Sequence, residues 1–167
     1  NGEYVAKVTV GDKQIASFDE KYYIGEQSFT IESGIVTNVT VDCKLQSTVV
    51  KVNYDASVVE KLSEGYFTTV AVADNYDKQA IATGDVQALR YDETKEGYFI
   101  LPADQTSLFW HFEGTHPVEG DIMKETIIEN VKPSTKYTIT LKYSKDAPGN
   151  LVFEAIVDES VETFEDT

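Results

Sequence analysis

VKPSTKYTITLKY, residues 131–143, carries the pattern on which the fold turns. Tyr137, Ile139, Leu141 and Tyr143 alternate with Thr138, Thr140 and Lys142, and only a strand with one buried and one wet face sorts side chains that way. Pro133 stiffens the approach, and Val131 supplies an apolar plug for a core. In two-sheet β folds a tyrosine at such an entry can turn its hydroxyl back to a main-chain group a few residues upstream, closing a corner between sheets. Tyr137 therefore reads as a latch, its ring burying apolar area while its polar tip finds a partner.

The opening, NGEYVAKVTV, repeats the second half of that signature. Tyr4, Ala6, Val8 and Val10 fall in phase with Tyr137, Ile139, Leu141 and Tyr143, and Gly2 stands in the approach. Tyr4 thus reads as a second latch, on a late strand of an earlier sandwich. On this basis residues 1–45 are the C-terminal strands of a first, incomplete β-sandwich, and residues 46–167 form a second. An incomplete sheet leaves unpaired edges that invite another chain. The same strands can also be arranged as one irregular sandwich.

Period-2 alternation runs through most of the remaining chain. In IVTNVTVDCKL, residues 35–45, Ile35, Val39, Val41, Cys43 and Leu45 share a face and predict a strand. Further strands are predicted at 4–10, 14–18, 27–31, 47–54, 66–73, 86–91, 97–101, 107–113, 123–130 and 151–157, with Gly, Asp, Asn, Lys or Pro in the breaks. Ten Tyr and eight Phe fit this, because aromatic side chains pack well on a pleated surface. One short helix is predicted near 56–64: Asp55 or Ser57 caps it, Val58, Val59 and Leu62 share a face, and Gly65 ends it. Many short strands with one helical crossover read as an all-β, Greek-key β-sandwich.

Composition narrows the partners. With 14 basic and 29 acidic residues the net charge is −15, which repels phosphate backbones and anionic membranes, so nucleic acid is excluded. One cysteine, Cys43, permits neither an intrachain disulfide nor a thiolate pair for a metal. No apolar run approaches the roughly 20 residues that cross a bilayer. The first residue is Asn rather than Met, which points to a segment upstream, where a signal peptide or lipid anchor would stand.

Residue types capable of chemistry occur without the spacing that chemistry needs. His111 and His116, with Glu113, Glu119 or Asp121, match no established zinc pattern, and one strand histidine with one turn histidine is the simpler reading. DNYD at 74–77 and the acidic stretch 154–167 lack calcium-loop spacing and read as a solvated turn and a fraying tail. No GxSxG elbow or phosphate-cradling glycine loop is present. No enzyme activity, metal or cofactor is expected. Exposed aromatic rings can stack on sugars: Trp110 alternates with core residues and reads as core, which leaves Tyr22, Tyr23 and Tyr76 as candidates for ligand stacking.

One resemblance adds to this. Gly2 and Tyr4, then Phe18, Tyr22, Tyr23 and Gly25, then Thr40, Val41, Cys43 and Leu45, resemble the fimbrillin-like surface lipoproteins of Bacteroidales-type bacteria. FEGTHPVEGDI, before VKPSTKYTITLKY, resembles the closing part of their second domain. The resemblance implies tandem immunoglobulin-like or transthyretin-like sandwiches, secretion as a lipoprotein, and a place in the cell envelope, on the outer membrane surface or in the periplasm. It implies adhesion or fimbria-like assembly through loops and sheet edges, with protein subunits or host and cell-surface ligands as partners. The alternative is a carbohydrate-binding surface lipoprotein that captures glycans. The chain shows no anchor cysteine at its start and no obvious donor strand beyond residue 157.

Overall fold

The computed structural model describes residues 1–161. Along the chain run β1 (Gly2–Val10), β2 (Ala16–Ser17), β3 (Tyr23–Ile31), β4 (Cys43–Leu45), β5 (Thr48–Tyr54), α1 (Ala56–Lys61), β6 (Phe67–Ala71), α2 (Lys78–Thr83), β7 (Ala88–Tyr91), β8 (Lys95–Phe99), β9 (Leu108–His116), β10 (Gly120–Ile128), β11 (Thr135–Lys145) and β12 (Leu151–Val161). The protein is an all-β sandwich. A five-stranded sheet, β12-β11-β5-β8-β2, faces a four-stranded sheet, β10-β9-β6-β7. A third sheet, β1-β3-β4, stands apart, while β2 leaves residues 1–45 to pair with Tyr98 and Phe99 of β8. Among the described residues no helix is long and apolar enough to cross a membrane.

The core follows from the alternation. β11 turns Tyr137, Ile139, Leu141 and Tyr143 inward beside Val50, Val52 and Tyr54 of β5, and the facing sheet contributes Val70, Trp110 and Phe112. Two tyrosines serve this core because their hydroxyls reach the main chain. Tyr54 donates to the Tyr91 carbonyl at 2.7 Å and lies 2.8 Å from Thr68 Oγ1, and Tyr91 donates to the Val50 carbonyl at 3.0 Å. Burial drives both phenols well above their ordinary pKa. Most neighbours are antiparallel, but β5 and β11 run parallel, from Lys136 opposite Val49 to Leu141 opposite Tyr54.

α1 starts where the N-cap signal stands but ends early: its last residue is Lys61, and Leu62 rather than Gly65 is the C-cap. The Asp55 carboxylate accepts from the Ser57 amide at 2.9 Å and from Ser57 Oγ at 2.6 Å, and that hydroxyl oxygen accepts from the Tyr143 amide at 2.9 Å. The cap thereby ties helix to strand. The Ser57 bonds hold the Asp55 carboxyl below its usual 3.8. Because the folded value is lowered, the stability it adds is present above the ordinary pKa and is lost as pH falls through the folded one. Asp55→Ala is expected to lower Tm by a few degrees at pH 7 and by less at pH ~2, where more of the folded-state carboxylate is protonated. Thermal melts at both pH values decide this, and an equal deficit at both would refute it.

Four expectations need correction. A second helix, α2, occupies 78–83, capped by Asp77 and ended by Gly84 at φ 80°, but it buries no residue and so carries no apolar stripe to announce it. Of the strand predicted over 35–45 only β4 forms. After the turn at Gly34 (φ 76°), Ile35 and Val36 are 60% and 85% exposed, so alternation there has nothing to pack on. β3 begins at Tyr23, inside the stretch read as a loop, and Gly25 is required there because a Cβ would lie 2.6 Å from the Asp42 carbonyl oxygen. The stretch 154–161, read as a fraying tail, belongs to β12, which pairs along its whole length with β11; residues 162–167 lie outside the described residues.

Candidate functional site

One pole of the sandwich collects residues that are far apart in sequence. There the chain turns between β10 and β11, with Asn130 and Ser134 at positive φ (55° and 54°). Tyr137, 2% exposed, accepts from the Lys132 amide at 3.2 Å, five residues upstream. Burial raises its phenol pKa, and the Lys132 bond opposes that shift. The segment joining β4 to β5 is bound to this corner: Ser134 Oγ donates to the Leu45 carbonyl, the Ser134 amide donates to the Ser47 carbonyl at 3.1 Å, and Thr48 Oγ1 donates to the Lys132 carbonyl at 2.7 Å.

Tyr22 is held against that segment. Its amide donates to Ser47 Oγ at 3.2 Å and its carbonyl accepts from the Gln46 amide at 2.7 Å. Tyr22 helps line a cleft of about 310 Å³, bordered by Ile24, Gln46, Thr48, Val131 and Pro133 and by the turn 100–105. Lys13 and residues 100–103 also line an adjoining hollow of about 440 Å³. Clefts of this size suit small ligands.

The third sheet is two-faced. The register sets Tyr4, Ala6, Val8 and Val10 of β1 on one face with Tyr23, Gly25, Gln27, Phe29 and Ile31 of β3, and sets Glu3, Val5, Lys7 and Thr9 on the more polar other face with Ile24, Glu26, Ser28 and Thr30. The apolar face stays open to solvent at Tyr4, Val8, Val10 and Ile31. Tyr4 does not bury its ring as Tyr137 does: it is 50% exposed on the open face of the sheet, and its ring lies 5.9 Å from that of Phe29. Its likeness to Tyr137 ends at the alternation. Among the described residues no strand pairs with the outer edge of β1.

Over residues 1–167 the sequence matches the family described as Domain of unknown function (DUF4493). The chain belongs to that family. No curated protein matches the sequence significantly. Among solved structures, a “putative cell adhesion protein” from Bacteroides eggerthii is similar over 86% of this chain, at 12% identity and a TM-score of 0.48. Another of the same description, from Bacteroides fragilis, is similar over 99%, at 13% identity and a TM-score of 0.41. The DUF4493 chain spans 64% and 66% of the lengths of those two proteins, just under two thirds of each.

The remaining candidates of this DUF4493 chain lie elsewhere. Tyr23 opens β3 opposite Leu45, on the third sheet. Tyr76 stacks on His111, centroids 3.8 Å apart and planes 7° apart, so one face of its ring is taken. Burial, then the Glu113 charge, raises its phenol pKa. His111, 2% exposed, lies 2.7 Å from Glu125 through Nδ1 and 3.0 Å from Glu113 through Nε2. His116 Nδ1 accepts from the Val118 and Glu119 amides, both at 3.1 Å, and the two histidines sit on opposite faces of β9. Asp74 accepts from Ser107 Oγ, and Asp77 caps α2. Among the described residues no three metal-binding side chains converge. The His111–Glu125 pair escaped the sequence because it is a cross-strand pair; the β9–β10 hairpin register, once fixed, sets the two residues opposite each other.

Proposed function

We propose that the protein is a cell-surface module for adhesion or fimbria-like assembly, binding partners through end loops and sheet edges. In this role it is non-catalytic. Residues 1–45 are the closing strands of a first β-sandwich and residues 46–167 a second, exported to the cell envelope and held at the outer membrane by a lipid anchor outside this chain. The observation that carries this reading is the two-faced sheet β1-β3-β4. An apolar sheet face needs a cover, and the nine-residue outer edge of β1 has neither proline nor bulge to deter a partner strand. Partners are other protein subunits or cell-surface ligands, because main-chain pairing supplies affinity and alternate side-chain pockets supply selectivity.

Sedimentation velocity from micromolar to millimolar protein, with binding to intact cells measured in parallel, tests this. Association or cell binding is expected, and the pair Val8→Lys and Val10→Lys should abolish association through this face. A chain that stays monomeric and leaves every cell surface bare would sink the reading. A second reading, capture of glycans, is favoured by one observation, the cleft beside Tyr22.

A further inference from the structure

We propose that the cleft beside Tyr22 is a subsite for a carboxylate-bearing pyranose, an acidic sugar unit of a surface glycan. This rests on the surface-recognition reading above and names a ligand for it. Three features lead there. The lining combines the aromatic residue Tyr22 with Ile24, Leu101, Pro102, Val131 and Pro133, while Gln46 and Gln105 stand among them as amides. A pyranose has the matching pattern, one C–H face and a rim of hydroxyls, whereas a wholly apolar ligand would leave the amides unpaired. Gln46 already donates to the Lys44 carbonyl at 3.2 Å, so its side-chain oxygen is the free acceptor for a hydroxyl.

Charge supplies the second feature. Lys13 is the one charged side chain lining the cleft or its adjoining hollow, in a chain whose net charge is −15. Asp12 and Asp104, its acidic neighbours in sequence or on the turn, line neither. Among the described residues Lys13 forms no ion pair. An anion is repelled over most of this surface and met by a cation here, and a carboxylate beside a pyranose ring is the group that uses both.

The third feature is rigidity. Tyr22 is pinned through both its amide and its carbonyl, and Val131 and Pro133 belong to the Tyr137 corner, so the walls are set before a ligand arrives. The other aromatic candidates do not offer this: Tyr76 is engaged by His111, and Tyr4 pairs with Phe29 on an open sheet face.

Saturation-transfer NMR and calorimetry provide the test. The probes are methyl β-glucuronide and the methyl glycoside of N-acetylneuraminic acid, each compared with neutral methyl β-glucoside. At least one acidic probe should bind about tenfold more tightly than the neutral one, the worth of one charge-assisted contact. Lys13→Gln should bring the acidic and neutral probes to about the same affinity, Tyr22→Leu should weaken both about tenfold, and Tyr22→Phe should bind like the wild type. Amide spectra of each variant check that the fold is kept. Absence of transfer to all three probes overturns the subsite, as does binding that survives both Lys13→Gln and Tyr22→Leu. Self-association through β1 is measured separately, so the adhesion reading can stand where the subsite fails.

Discussion

Replacing Gly97 by alanine is expected to destabilise the protein by about 3 kcal/mol, combining overpacking with a lost buried hydrogen bond. Gly97 lies in β8 opposite Val50, with its missing side chain aimed at the core. A Cβ there would stand 2.3 Å from the Tyr91 hydroxyl and 2.6 Å from Leu89 Cδ1. Tyr91 has no room to retreat. Its ring is fully buried edge-on to Phe18, with centroids 5.0 Å apart, and its hydroxyl is bonded to the Val50 carbonyl at 3.0 Å. Moving the ring breaks that bond and leaves a buried hydroxyl without its acceptor. Urea unfolding measures the loss. Tyr91→Phe in the same chain should recover part of it, because the crowding oxygen is gone, and a double-mutant cycle reads that coupling directly. A Gly97→Ala variant within about 0.5 kcal/mol of the parent would mean that the two strands are not packed as described.

Tyr137→Ala is expected to cost about 4 kcal/mol and Tyr137→Phe about 1 kcal/mol. The larger figure is the cavity left by a fully buried ring, and the smaller is the loss of one acceptor for the Lys132 amide. The two variants separate packing from latching. If Tyr137→Phe unfolds at the same denaturant concentration as the parent, the hydroxyl does not close the corner. The corner also holds Leu45, Ser47 and Thr48, so Tyr137→Phe should loosen the Tyr22 cleft more than it loosens the core.

Much of the sandwich is legible in the sequence because alternation and burial coincide there. Along β11 every second residue is buried, and Leu108, Trp110 and Phe112 of β9 point inward as their spacing predicts. Where alternation occurs without a facing layer it misleads. IVTNVTV has the period of a strand but Ile35 and Val36 are largely exposed, and Tyr4 has the phase of Tyr137 yet stays half open to solvent. α2 fails in the opposite way, with sound caps at Asp77 and Gly84 and no buried residue between them. At the candidate site Tyr22 is recognisable as a type, but its surroundings are not. The cleft walls come from residues 46–48, 100–105 and 131–133, and the pairing of β5 with both β8 and β11, together with the bonded corner, brings those stretches together.

The parallel pairing of β5 with β11 governs how this molecule would carry a load. β5 begins, β11 begins and β12 ends at one pole, with Val49 opposite Lys136 and Thr135 opposite Val161. Tension applied between residues 48 and 161 therefore peels β12 from β11 one rung at a time, as a zipper opens. Tension between residues 48 and 145 strains the six β5–β11 rungs together, in shear.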